Sequence, residues 1–466
     1  QLAALADDLP PAVIKTGLLG SAANARVVTR WVDRLRTRAP LALVIDPVLR
    51  ASTGAGFVDE ALMRVYREEL LPRASVVTPN QREAVLLLGH EGSSGVVPMA
   101  GTLRALGAQA VVVTGGDAAT PDLSHDWLDT PHARGWLTLP RVDTPHHHGT
   151  GCTFASSLAA ALALGFVVAD AAVLAKMATT HALRHARAVG RGAGPVVARE
   201  GFGNDPSLLP RLSPGAQAPA EWTAHRRGRK PGVYAIVDSA ERVESVLRAT
   251  PTVDTIQLRM KRPPGLDDAQ WQTRLQESIA RSQGAADAAG VTLVINDHWR
   301  AALQAGARAL HLGQEDLLAL SPADHAALQA AREAGMQLGL SSHSLWELCR
   351  AASLQPDLIA CGPVWATTTK DMPWLPQGLD NLAWWAHMAP APVVGIGGIL
   401  EPAQLRAVAA AGAAGGCLVR GLGEDPAQTL PAWHSAWAEG GSCADRPRVP
   451  TLPHPMLPGA TMSAQR

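Results

Sequence analysis

The sequence predicts two α/β domains in series, a parallel α/β sheet over residues 1–200 and a (β/α)8 barrel over residues 232–440. Three observations carry this. Short β-rich runs alternate with helical stretches along most of the chain, the pattern of parallel strands joined by helical crossovers. After Gly232, eight strand candidates, mostly followed by a helix, succeed one another within about 205 residues, which suits a small barrel. Polar residues gather directly after the strands, at the carboxyl ends where such folds bind ligands.

In the first domain the spacing predicts strands at Val13–Lys15, Ala42–Ile45, Ser75–Thr78 and Ala110–Thr114, with helices at Ala23–Arg38, Glu60–Leu70 and Thr102–Leu106. Asp126–Leu128 and Gly135–Leu139 flank Pro131 as an added hairpin. Asp46, Asn80 with Glu83, and Gly115-Gly116-Asp117 stand at strand ends. The run His148-Gly149-Thr150-Gly151-Cys152-Thr153 then opens an Ala-rich helix, so free amides and the positive dipole end face one point, a cradle for a phosphoryl group. Cys152 at that helix start is expected to have a lowered thiol pKa. His146-His147-His148 reads as a polar loop, since three adjacent side chains cannot easily converge on one ion.

Residues 201–231 read as a linker, with Pro206, Pro210, Pro214, Pro219 and Pro231 and a basic run at 226–230. In the second domain strands are expected at Val233–Val237, Thr255–Leu258, Thr292–Ile295, Ala309–Leu312, Gln337–Leu340, Leu358–Cys361, Val393–Ile396 and Gly416–Val419. Helices fit Trp271–Ala289, Ala323–Ala334, Leu345–Leu354, Leu379–His387, Pro402–Ala411 and Pro426–Glu439. Residues 441–466 read as a disordered tail.

Along the second of these strands, side-chain alternation turns Gln257, Arg259 and Lys261 to one face, an amide and two cations suited to a polyanion. Lys370, after the sixth strand, adds positive charge. Asp297 and Asp316, from neighbouring strand ends, could jointly hold Mg²⁺. Gly397-Gly398 puts backbone N–H groups where barrels commonly bind a monophosphate. Two anion sites plus magnesium suggest a diphosphate leaving group and a separate phosphorylated acceptor.

Acidic and basic residues both number 41 in the 466, so the chain has neither a nucleic-acid nor a membrane-surface footprint. The 5 cysteines are scattered and never in CxxC, which points to a reducing cytoplasm and away from disulfides or structural zinc. The expected partners are small-molecule substrates; a homo-oligomer is left open.

Lys15-Thr16-Gly17-Leu18-Leu19, Asp46-Pro47-Val48, Thr78-Pro79-Asn80 and the Gly149–Cys152 run resemble the hydroxymethylpyrimidine/phosphomethylpyrimidine kinases over residues 5–200. The resemblance implies a ribokinase-like fold and ATP and Mg²⁺ as reaction partners. It implies an anion hole from the amides of Gly149, Thr150, Gly151 and Cys152, Cys152 as the catalytic group, and Lys176 beside the nucleotide. Nothing before Lys15 matches the family's first strand-turn and pyrimidine-binding acids, and Leu18 replaces a usual methionine. The expectation is an N-terminally incomplete, truncated kinase domain with impaired activity.

Gln257–Lys261, Ile295-Asn296-Asp297, His311–Asp316, Gly339-Leu340-Ser341, Gly362–Trp365, Thr369-Lys370 and Gly395–Ile399 resemble thiamine-phosphate synthase from Gly232 to about Leu422. That family joins hydroxymethylpyrimidine diphosphate to hydroxyethylthiazole phosphate and releases pyrophosphate. The resemblance implies that pyrophosphate leaves first and the thiazole nitrogen attacks the pyrimidine-methyl cation. Arg259, Lys261, Asn296, Ser341 and Lys370 would hold the pyrophosphate, with Gln257 beside them, Lys370 and Ser341 being also the catalytic candidates. Asp297 and Asp316 would hold magnesium, and Thr367, Thr369 and the Gly397-Gly398 amides the thiazole phosphate. Arg420 stands where the family often has serine. A competing reading is a thiazole tautomerase-like barrel with a non-catalytic kinase-like support domain; the full pyrophosphate and magnesium set speaks against it.

Overall fold

A computed structural model describes residues 2–49, 59–89, 95–116, 122–223, 228, 230–367, 373–444 and 446–458. The chain divides into two compact units, residues 1–223 with 344–353 and 455–466, and residues 224–343 with 354–454.

The first unit is built on a seven-stranded sheet in sequence order: β1 (Val13–Thr16), β2 (Ala42–Ile45), β3 (Val76–Val77), β4 (Val111–Val113), β5 (Leu123–Asp129), β6 (Arg134–Pro140) and β7 (Arg211–Ser213). β1 to β4 run parallel, and β4 to β7 are antiparallel neighbours. Its helices are α1 (Leu2–Asp8), α2 (Ala22–Arg36), α3 (Glu60–Val65), α4 (Gln81–Leu88), α5 (Val96–Ala105), α6 (Thr150–Ala163) and α7 (Val168–Arg184). β2 is buried at every residue, as its unbroken Ala-Leu-Val-Ile run requires of a strand covered on both faces. Ser21 caps α2 by accepting from the Asn24 amide. Asn80 and Glu83 form a reciprocal capping box on α4, so these two strand-end residues start a helix.

The second unit contains a closed, all-parallel barrel of β8 (Gly232–Val237), β9 (Thr255–Leu258), β10 (Thr292–Asn296), β11 (Ala309–Leu312), β12 (Gln337–Ser342), β13 (Leu358–Cys361), β14 (Val393–Gly395) and β15 (Gly415–Leu418). Its helices are α8 (Ala240–Leu247), α9 (Asp268–Ala289), α10 (Trp299–Gln304), α11 (Gln314–Ala319), α12 (Pro322–Glu333), α14 (Gly378–Met388), α15 (Pro402–Ala410) and α16 (Pro426–Gly441), while α13 (Leu345–Ser353), which follows β12 in the chain, falls in the first unit. Every expected barrel strand is present within two residues of its ends. Tyr234, Ile236, Val294, Ala309, Ala360, Val394 and Cys417 fill the interior, so the barrel is a packed core. α8, α10 and α11 went unassigned in the sequence because six to eight residues hold too few turns to show a helical period.

Three expectations need correction. β9 ends at Leu258; its last ladder bond is Arg259 N to Val237 O, 2.7 Å, and Pro263-Pro264 soon follow, so strict alternation does not reach Lys261. The presumed linker is structured at its start: Phe202–Asn204 and Pro206–Leu208 are 3₁₀ turns, and β7 pairs Leu212 with Leu137 on the sheet edge. Leu208, Leu209 and Leu212 are buried there, apolar anchors among the prolines. The presumed tail is ordered at His454, whose N–H donates to Asn381 Oδ1 (2.8 Å) while Asn381 Nδ2 donates to its carbonyl (3.2 Å).

Candidate active sites

In the first unit the ends of β1 and β2 bring Lys15 to Asp46, with Nζ donating to Oδ2 at 2.9 Å. Asp46 is buried, and its charge acts on the Cys152 thiol on the first turn of α6. Gly149, at φ 89°, turns the chain into that helix, and no side chain caps it, so the amides of Thr150 to Cys152 point outward as a cradle for an anion. The expected low thiol pKa is not met. Burial pushes Cys152 upward, the Asp46 carboxylate adds to this, and Lys15 opposes it.

Lys176 is buried on α7; its Nζ donates to Asp126 Oδ2 at 2.9 Å and to Ser124 Oγ at 3.2 Å. Asp126 also accepts from the Gly115 amide. Lys176, Gly116, Thr150 and Gly151 border one cleft of about 170 Å³, so the cradle and the lysine share a space. The lysine's charge is already answered by Asp126. Asp117 lies outside the described residues.

In the barrel, the carboxyl ends of the strands surround a cavity of about 190 Å³. Gln257, Arg259, Asn296, Asp297, Asp316, Ser341, Thr367, Gly397 and Gly398 all line it, with Arg420 on its rim. Lys261 is exposed and is not part of the lining, so of the expected trio Gln257 and Arg259 border the cavity itself. Thr369 and Lys370 lie outside the described residues.

Gln257 is buried, and its Nε2 donates to Asn296 Oδ1 at 2.6 Å. Asp297 has φ 62°, left-handed backbone that few residues but Asn and Asp tolerate, and its N–H donates to His311 O. Its carboxyl is raised to about 6 by burial and by the charge and hydrogen bond of Asp316, with Arg259 opposing. Two adjacent carboxyl groups that repel each other have the chemistry to suit a divalent cation, which would relieve the repulsion. Gly397 and Gly398, at φ 94° and 74°, expose backbone at the lip; a Cβ on Gly397 would lie 2.7 Å from Pro363 Cα.

Sequence reasoning assigned no role to Tyr234, His311, Gln314 or His343. His311 Nε2 is 3.0 Å from Ser341 Oγ, and Gln314 Nε2 donates to the Ser341 carbonyl at 2.7 Å, so two side chains fix Ser341. Burial lowers His311 to about 4, with His343 adding to it, so it stays neutral. The usable signal was inward parity along the strands, which a barrel makes meaningful only once its register is known.

The family described as phosphomethylpyrimidine kinase matches residues 1–197, and that described as thiamine monophosphate synthase matches residues 233–422. The protein is thus a pair of transferases in one chain. Over 200 residues it is 42% identical to the hydroxymethylpyrimidine/phosphomethylpyrimidine kinase of Synechococcus elongatus, covering 42% of this chain and 74% of that one. Over 207 residues it is 42% identical to the thiamine-phosphate synthase of Neisseria meningitidis, covering 44% and 93%. Across both units it is 31% identical over 412 residues to the thiamine biosynthetic bifunctional enzyme TH1, chloroplastic, of Arabidopsis thaliana, covering 86% of this chain and 74% of that one. The chain belongs to the thiamine biosynthetic bifunctional enzymes, a ribokinase-like hydroxymethylpyrimidine phosphate kinase domain fused to a thiamine-phosphate synthase barrel. Among the described residues no helix is long and apolar enough to cross a membrane.

Proposed function

We propose that the barrel cavity performs the condensation with the following division of roles. Arg259, Asn296 and Ser341 hold the diphosphate of the pyrimidine substrate, together with Lys370. Asp297 and Asp316 hold Mg²⁺, which when bound neutralises the departing pyrophosphate. The Gly397-Gly398 amides, with Thr367 and Thr369, hold the thiazole phosphate, and Arg420 adds positive charge at the same rim. The reading is carried by the convergence of Arg259, Asn296, the aspartate pair and the glycine pair on one cavity. These groups stabilise the leaving polyanion more than the intact substrate, which is what lowers the barrier for a dissociative step. The packed, apolar wall of Ile236, Val394 and Cys417 beneath them keeps water from the pyrimidine-methyl cation before the thiazole nitrogen reaches it.

In the kinase domain ATP is the phosphoryl donor. The Gly149–Cys152 amides stabilise the charge that develops on the transferring group, and Cys152 stands beside the acceptor as a thiol. Lys176 is held by Asp126 at the nucleotide cleft. The five free cysteines, three of them buried, support a reducing compartment.

The test is direct. Folded protein is given hydroxymethylpyrimidine diphosphate, thiazole phosphate and Mg²⁺, and thiamine phosphate is measured. Product is expected; its absence would overturn the barrel assignment. Replacing the diphosphate with hydroxymethylpyrimidine phosphate plus ATP reads the kinase domain separately.

A further inference from the structure

Three inward residues on consecutive strands form a hydrogen-bonded diagonal up the barrel. Tyr234 Oη donates to Gln257 Oε1 at 2.7 Å, and Gln257 Nε2 donates to Asn296 Oδ1 at 2.6 Å. The register makes it a staircase. Tyr234 faces Thr255 across the ladder, two residues below Gln257; Gln257 faces Val294, two residues below Asn296. All three are buried, and Asn296 alone of the three reaches the end of its strand.

We propose that Tyr234 is a positioning residue that sets which end of the Asn296 amide faces the substrate cavity. The tyrosine hydroxyl carries one proton; Tyr234 belongs to the apolar cluster of Ile236, Val294, Ala360, Val394 and Cys417 at the floor of the cavity, and the hydroxyl's hydrogen-bond partner among the described residues is Gln257. The proton therefore goes to the Gln257 oxygen. That turns the Gln257 –NH₂ toward Asn296, which must answer with its oxygen. The Asn296 –NH₂ is left for the cavity, where it makes no hydrogen bond among the described residues, and a donor there attracts an anion. The reverse polarity would take the Gln257 acceptor away from the tyrosine proton and aim a carbonyl oxygen at the diphosphate. The inference rests on the reading that Asn296 holds the diphosphate.

The experiment titrates inorganic pyrophosphate with Mg²⁺ into the full chain by calorimetry and measures KM for both substrates. Asn296→Ala should weaken pyrophosphate about tenfold, and Tyr234→Phe about fivefold, the scale of one hydrogen bond to a charged group. KM for thiazole phosphate should not move in Tyr234→Phe, and the double variant should bind pyrophosphate no worse than Asn296→Ala. Losses that multiply in the double variant, or a parallel rise in both KM values, would show a packing role and overturn the relay. Unchanged pyrophosphate affinity in Asn296→Ala would instead remove the underlying reading. Should Tyr234→Phe not fold, Asn296→Asp decides: it shows the cavity an oxygen whatever Gln257 does, and must bind pyrophosphate more weakly than Asn296→Ala. Equal binding by those two would overturn the polarity argument.

Discussion

The two active clefts treat charge in opposite ways. In the kinase domain both site lysines are already neutralised, Lys15 by Asp46 and Lys176 by Asp126, each at 2.9 Å, and the second pair has side chains only 4% and 7% exposed. In the barrel Arg259 makes no ion pair within 4.0 Å among the described residues, and Asp297 is pushed up by burial and by its neighbour Asp316 more than Arg259 pulls it down. A buried ion pair is first a condition of folding, because removing one member strands the other away from water. Charges on a rim that are not locked in an ion pair keep their interaction free energy for a ligand, which is the role proposed for Arg259 with an anion and for the aspartates with a divalent cation. On the proposed reading, the kinase cleft would stabilise new negative charge chiefly with backbone amides, and the synthase cleft with side chains and a divalent cation.

The largest effect that would sharpen this contrast is on stability. Lys176→Met leaves Asp126 buried and unanswered and should destabilise the kinase unit by about 3–5 kcal/mol, read by denaturant unfolding. Arg259→Met should cost little in the same measurement; equal losses would break the contrast. Next, Arg259→Ala should lower kcat/KM of thiamine phosphate formation about 100-fold while Tm stays within about 2 °C. Unfolding of this variant would mean that the arginine is structural.

The third prediction concerns pH. Asp297 takes its proton at about 6, above the ordinary carboxylate range, so a cation must compete with that proton below this pH. The Mg²⁺ concentration for half-maximal synthase rate should rise toward tenfold per pH unit below about 6. The sign for stability is the reverse: the folded barrel holds the proton more tightly than the unfolded chain, so the cation-free protein loses stability as pH rises from about 4 to about 6. Asp297→Asn should flatten both dependences.

The smallest effect is at Cys152. Its raised thiol should react slowly with iodoacetamide at pH 7 and faster, about tenfold per unit, as pH climbs. Lys15→Met, which removes the opposing charge, should slow it further. A rate at pH 7 above that of a free thiol would restore the helix end as the dominant influence.

The barrel was legible because each strand is a short apolar run with its chemistry immediately after it: Asn296-Asp297 behind β10 and Gly397-Gly398 behind β14 needed no tertiary knowledge to be noticed. The strand was read too long at Lys261 because alternation holds only while the backbone stays extended, and the prolines that follow are a weaker signal than the Gln-x-Arg-x-Lys spacing. β7 was missed because three residues amid prolines carry almost no local preference, and only the exposed edge of β6 makes them a strand. Asn80 and Glu83 stand at a strand end, yet their geometry is that of a helix cap, a distinction that spacing alone does not make.

The sequence by itself determined the two domains, the order of barrel strands and most residues of the synthase cavity, since periodicity and strand-end chemistry are local properties written every few residues. Only the tertiary structure decided which charges are spent on each other and which remain for a ligand. Lys15 meets Asp46 across 31 residues and Lys176 meets Asp126 across 50, and the Tyr234–Gln257–Asn296 diagonal exists only at the barrel's stagger. Hydrogen bonds and ion pairs act over about 3 Å, and no sequence separation encodes that distance until the strands are in register.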